Sequence, residues 1–223
     1  MICLVFGAQG SGKTLFLAKT GYEYYKKGYT VYSNFKLNFP YKELDFEQML
    51  ACEYNNAIIL IDEAHLWGLD ARDGMSKQNK ELTKKFIVQV RKQGVKLYCA
   101  SQRFRQLDVR LRENSEIVIR CKKYAMIDKK IKEVFQSETF EINTPIIIEL
   151  EYTHLDIERT VYKRFIANDY YSTYDTTQVI KMISETKKGE SIGKKQNTKK
   201  TNKTKTKKKK SKNSNKKSSK KKK

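Results

Sequence analysis

No two of the four cysteines, Cys3, Cys52, Cys99 and Cys121, form a Cys-x-x-Cys pair. That spacing excludes a cysteine-based metal site or a dithiol redox motif. Three of the four lie in or beside apolar, strand-like runs, as the reduced core thiols of an intracellular protein do. No stretch approaches the roughly 18–20 apolar residues of a membrane span. The run Ile2–Phe6 is too short for the core of a signal peptide, and no basic segment precedes it. The expectation is a soluble, cytoplasmic chain without integral membrane contact. Internal repeats are lacking too. Acidic residues and arginine are both missing from residues 194–223, where 17 of the residues are lysine.

This last bias dominates the charge. The 223-residue chain has 47 basic and 25 acidic residues and a net charge of +22. Outside the lysine-rich tail, 30 basic residues face 25 acidic ones, so the body is only mildly basic at +5. With 39% hydrophobic residues, that body can build a core. From about Thr186 onward almost nothing is apolar, which predicts a disordered tail over residues 186–223.

Apolar runs and helical periodicity alternate along the body. Ile2–Phe6, Tyr29–Phe35, Ala57–His65, Val95–Ser101 and Glu116–Tyr124 have the pattern of strands. A helix is expected over Lys13–Lys27, stopped by Gly28, and a short one from about Asp45. A longer helix is expected over Asn79–Gly94, where Leu82, Phe86 and Val90 share a face. Strands buried on both faces and alternating with helices indicate an α/β domain with a parallel sheet over residues 1–124. Residues 125–185 alternate like strands and predict a small mixed or β-rich extension.

"GAQGSGKT" follows the first strand and opens the first helix. Gly7, Ala8, Gln9, Gly10, Ser11, Gly12, Lys13 and Thr14 fit G-x-x-x-x-G-K-[ST], the Walker A phosphate loop. Glycine lets the backbone come close to an anion, and several amides then converge on it with the positive end of the helix. Lys13 can reach the β- and γ-phosphates of ATP, and the Thr14 hydroxyl can hold Mg²⁺. "IILIDEAH" ends a buried strand with Asp62 and Glu63, in the manner of a Walker B segment. Asp62 is expected to hold the Mg²⁺ through water and Glu63 to act as the general base on the attacking water. His65 has the look of a packing histidine.

The strand Val95–Ser101 is followed by Gln102, a candidate sensor of the γ-phosphate. Arg110 and Arg112 are candidates for an arginine supplied to a neighbouring subunit's site. Surface ion pairs with Asp108 and Glu113, or contacts to DNA phosphates, are the alternatives.

In that order, "GAQGSGKT", "GYTVYSNFKL", "AIILIDEAHLW" and "FIVQVRKQGVKLYCASQRFRQLDVRLRE" resemble the N-terminal ATPase domain of the zonula occludens toxin family. That family includes the filamentous-phage assembly ATPase and lies within the FtsK–HerA superfamily of P-loop ATPases. The resemblance covers about residues 1–124. It implies an ASCE/RecA-like sheet of order 5-1-4-3-2, a homo-oligomeric ring, and hydrolysis that moves DNA or a DNA–protein complex. The filamentous-phage members continue into a membrane-spanning helix that this sequence does not contain. The implied role is therefore a soluble motor, such as a viral genome-packaging or virion-assembly ATPase with a virion or portal-like partner. An extrusion or conjugation motor and a P-loop small-molecule kinase are the rivals. The Lys194–Lys223 tail, rich in charge and free of aromatics, suits non-specific contact with double-stranded DNA. A membrane tether, which would need anionic lipid and for which the tail lacks an acyl site or aromatic anchors, and a mere solubility tail are the alternatives.

Overall fold

A computed structural model describes residues 1–44, 54–70, 85–90, 92–134, 140 and 144–175. The short helix expected from Asp45, Leu82, Cys52 and the lysine-rich tail lie outside these residues.

The strands are β1 (Ile2–Phe6), β2 (Thr30–Ser33), β3 (Lys42–Glu43), β4 (Ala57–Ile61), β5 (Lys96–Ser101), β6 (Ile117–Ile127), β7 (Lys130–Glu133), β8 (Ile146–His154) and β9 (Arg159–Ile166). They form one sheet in the order β3-β2-β4-β5-β1-β6-β8-β9, with β7 paired to β6. From β3 to β6 every pairing is parallel. The five expected core strands keep the order 5-1-4-3-2, but the sheet is longer at both edges. β3 adds an outer parallel strand, and β8 and β9 continue the other side in antiparallel pairing.

Burial on both faces explains why the central strands β1 and β4 are apolar at every position. In β4, Ile58 and Leu60 belong to one cluster while Ile59 and Ile61 belong to the opposite one. Helix α1 (Lys13–Lys26) covers the first cluster with Leu15, Phe16, Leu17 and Ala18. The other face is covered by helical residues 85–90, whose Phe86 and Val90 are buried, and by Leu107 and Leu111. Leu111 lies on the short helix α2 (Val109–Glu113). Cys3, Cys99 and Cys121 are free and buried, as expected of core thiols. Burial pushes the Cys3 and Cys121 thiols up to about 12, so they are inert at neutral pH.

β6 runs to Ile127, past the boundary expected at Tyr124. Its first part pairs with β1, and residues Ile117–Ala125 pair with β8. It then turns into β7 through Asp128 and Lys129, with φ of 51° and 58°. Two left-handed residues in succession give the twist that a tight hairpin requires. After β9, a 3-10 segment (Ala167–Thr173) packs on α1. Among the described residues, no helix is long and apolar enough to cross a membrane.

Leu60 is fully buried at the centre of the sheet, under α1. Leu60→Ala is expected to lower unfolding free energy by about 2–5 kcal/mol, through lost burial and the cavity left behind. Chemical denaturation of the two proteins measures it.

Candidate nucleotide site

The loop between β1 and α1 is packed so closely at Gly7 and Gly12 that a side chain at either would clash. A Cβ at Gly7 would stand 2.5 Å from Ser11 Oγ and 2.6 Å from the Cys121 carbonyl oxygen. Gly12 has a φ of 90°, and a Cβ there would stand 2.6 Å from Ile148 Cδ1 on β8. Gly12 is also the N-cap of α1. It offers no capping side chain, and the first turn contains no acid. The first amides of the helix are therefore left for an external anion, at the positive end of the helix dipole. Lys13 is buried, and its Nζ donates to the carbonyls of Gly7 (3.1 Å) and Ala8 (3.0 Å). The ammonium is thus folded over the same loop whose amides would receive the phosphates.

Asp62 follows the last residue of β4 and is buried. Thr14 Oγ1 donates to its Oδ2 at 2.6 Å, and the Glu63 amide donates to its Oδ1 at 2.9 Å. Asn34, just after β2, clasps the Asp62 backbone from the side. Its Nδ2 donates to the Asp62 carbonyl and its Oδ1 accepts from the Asp62 amide, both at 2.8 Å. Burial raises the Asp62 carboxyl above the usual carboxylate range, against the lowering effect of the Thr14 hydrogen bond. A buried carboxylate touching a hydroxyl is a pair of hard oxygen donors, the kind Mg²⁺ takes when phosphates and water supply its other ligands.

Glu63 is held with a φ of 44°, a left-handed conformation uncommon for a side chain of this size. Its Oε2 lies 3.4 Å from Nδ1 of His65. The same imidazole nitrogen is 3.5 Å from Ser101 Oγ, and Ser101 Oγ donates to Gln106 Oε1 at 3.2 Å. Gln106 Oε1 also accepts from the Arg103 amide at 3.0 Å, which closes a 3-10 turn (Phe104–Gln106) back onto β5. A chain of contacts thus runs from Glu63 through His65 to the tip of β5.

A cleft of about 410 Å³ joins these parts. The loop lines it with Gln9, Gly10, Gly12, Lys13 and Thr14, and Glu63 lines it from β4. Gly7, Ala8 and Ser11 shape the loop without lining the cleft, and Asp62 reaches it through Thr14. Gln102 is exposed at the tip of β5 and is not on the cleft wall. Arg110 and Arg112 sit on α2, also off the wall. Arg112 Nε donates to the Leu107 carbonyl at 3.0 Å, and its guanidinium lies 5.5 Å over the Phe104 ring. Among the described residues, neither arginine forms an ion pair with Asp108 or Glu113. Instead Asp108 caps α2 by accepting from the Arg110 amide.

Besides Leu15, which directly follows Thr14, four wall residues were not singled out in the sequence: Lys123, Ile148, Tyr171 and Tyr174. They come from β6, β8 and the segment after β9, so no spacing to the phosphate loop announces them. Asn34 and Ser101 were missed for the same reason.

No curated protein matches the sequence significantly. Among solved structures, the N-terminal domain of zonular occludens toxin from Neisseria meningitidis superimposes with a TM-score of 0.53 at 19% identity. The match covers 78% of this chain and 98% of that one, so the fold is shared beyond the segments that carried the sequence resemblance. The genome packaging NTPase B204 from Sulfolobus turreted icosahedral virus 2, in complex with ATP-gammaS, gives a TM-score of 0.46 at 12% identity, covering 72% of this chain and 95% of that one.

Two substitutions test the site. Lys13→Ala is expected to abolish the rise in melting temperature that saturating ATP gives the wild type, about 2.7 kcal/mol of stabilisation at a hundredfold excess over Kd. Asn34→Ala leaves the Asp62 amide and carbonyl unpaired, and is expected to cost about 1–3 kcal/mol in denaturation while also lowering ATP turnover. The model of the family of ATPases associated with various cellular activities (AAA) matches residues 3–123, more than half of the chain, from β1 through the phosphate loop and the acidic strand into β6; the chain belongs to that family and is an ATP hydrolase.

Proposed function

We propose that this ATPase is a Mg²⁺-dependent motor that moves double-stranded DNA in viral genome packaging or virion assembly. The observation that carries the hydrolytic part is the position of Glu63. Its carboxylate lines the same cleft as Lys13 and Thr14, one residue beyond the acid that Thr14 touches.

In this reading the loop amides and Lys13 bind the triphosphate and hold its terminal groups against the sheet edge. Thr14 and Asp62 hold Mg²⁺, which when bound neutralises charge on the phosphate oxygens. Glu63 accepts the proton of the attacking water. Its left-handed backbone and the contact with His65 fix the direction in which the carboxylate points. Gln102 reads the γ-phosphate, which requires the exposed tip of β5 to turn toward the cleft once nucleotide is bound. Arg110 or Arg112 acts on the site of the next subunit in a homo-oligomeric ring, which accords with their place away from the cleft of their own chain.

The DNA part of the proposal rests on two supports, the resemblance to the zonula occludens toxin family and the tail. A segment with 17 lysines in 30 residues and no acid releases counterions when it meets a polyanion, whatever the base sequence. It would keep DNA close to the ring while the ATPase body engages a virion or portal-like partner.

ATP turnover with and without double-stranded DNA tests both parts. DNA is expected to stimulate the wild type, and Glu63→Gln to lower kcat by about 10²–10⁴ while ATP binding persists. Removal of residues 194–223 should weaken DNA binding and flatten its salt dependence. Turnover by a monomer that ignores DNA would overturn the motor. Label transferred to a nucleoside or nucleotide acceptor, with none released as phosphate, would replace it with a kinase.

A further inference from the structure

Two aromatic residues, Tyr171 and Tyr174, line the cleft together with the phosphate loop. Of the cleft's apolar lining, Leu15 and Ile148 are already packed, at 2% and 1% exposure. Tyr171 is 41% exposed. Its ring offers apolar surface still to be covered by something that enters. Its neighbour Tyr174 lines the same cleft. The Tyr174 phenol is pushed up to about 12, first by burial, then by Tyr171, then by the Asp62 carboxylate.

The backbone that carries Tyr171 is pinned on both sides. Ahead of it, Tyr170 packs edge-on against Phe165, with ring centroids 5.7 Å apart, and Lys19 of α1 lies 5.3 Å over each ring. Behind it, the Asn38 amide donates to the Thr173 carbonyl at 2.9 Å, Asn38 Nδ2 donates to the Ser172 carbonyl at 2.8 Å, and Leu37 bridges to Tyr174. A half-exposed ring on a fixed backbone is a prepared surface. Little ordering entropy is lost when a flat ligand covers it.

Phosphates are served by amides and Lys13, and have no use for an aromatic face. What a nucleotide presents beyond its phosphates is a ribose and a flat base. We propose that Tyr171, on the wall of the cleft that Lys13 and Thr14 also line, is the platform on which the base of the bound nucleotide stacks. This rests on the ATPase reading of the same cleft and adds the part that recognises the nucleoside.

Titration calorimetry on the full chain separates recognition of the nucleoside from that of the phosphates, with ATP and inorganic tripolyphosphate as parallel probes. Tyr171→Ala is expected to weaken ATP on the order of tenfold and to leave tripolyphosphate within about twofold. Tyr171→Phe should bind ATP as the wild type does. Tyr171→Leu keeps apolar bulk for folding but lacks the ring, and should lose ATP affinity without losing tripolyphosphate. Equal loss of both probes, or no loss of either, would overturn the platform while leaving the phosphate cradle intact. A wild type that binds neither probe would overturn the nucleotide site and the platform with it.

Discussion

The 2.6 Å hydrogen bond from Thr14 to Asp62 joins two parts of the chain 48 residues apart, and the chemistry depends on it. Its cause lies in the sheet. β1 and β4 are both parallel to β5 and lie on either side of it. Neighbouring strands stand about 4.8 Å apart, so the ends of β1 and β4 are separated by roughly 10 Å. A loop from one end and a carboxylate from the other leave a gap of phosphate dimensions. The first turn of α1 leans across it to place Thr14 against Asp62. β5 ends in the middle of the gap, which is why Ser101 communicates with Glu63 through His65.

Two buried charges face this gap and are not paired with each other. Lys13 is satisfied by main-chain carbonyls, and Asp62 by a hydroxyl and an amide. Direct pairing would stabilise the empty protein, yet it would also consume both charges. Keeping them apart leaves the ammonium for phosphate and the carboxylate for a cation. The cost appears as a raised Asp62 carboxyl and as the left-handed backbone at Glu63. Local strain and unneutralised burial at a site that must bind a charged ligand are common, because the ligand supplies the missing interaction.

What the sequence made legible follows from locality. β1 and β4 are continuous apolar runs because both faces of a central parallel strand are buried. The loop was readable because eight consecutive residues form the whole cradle. The contacts of His65 were not readable: its partner Ser101 lies 36 residues away, and only the strand order brings them together. At the tip of β5 a polar residue was expected, and Gln102 occupies the position in sequence. The 3-10 turn that follows brings Gln106 back to Ser101, while Gln102 is exposed. Tyr171 and Tyr174 sit in a polar, aromatic stretch whose composition does not reveal which ring meets a cleft.

The antiparallel strands beyond β6 are coupled to the chemistry by contact. Ile148 of β8 occupies the space that a side chain at Gly12 would need, and the carbonyl of Cys121 on β6 does the same at Gly7. β8 is fixed to β6 along nine consecutive residue pairs, Ile117↔His154 to Ala125↔Ile146. A displacement of β8 is therefore felt at the N-cap of α1, where the amides converge. The segment after β9 closes the circuit by packing on α1 and bonding to Asn38 near β2. Glycine at positions 7 and 12 thus answers to two demands at once. An anion must come close on one side of the loop, and a strand from the far part of the chain already touches the other.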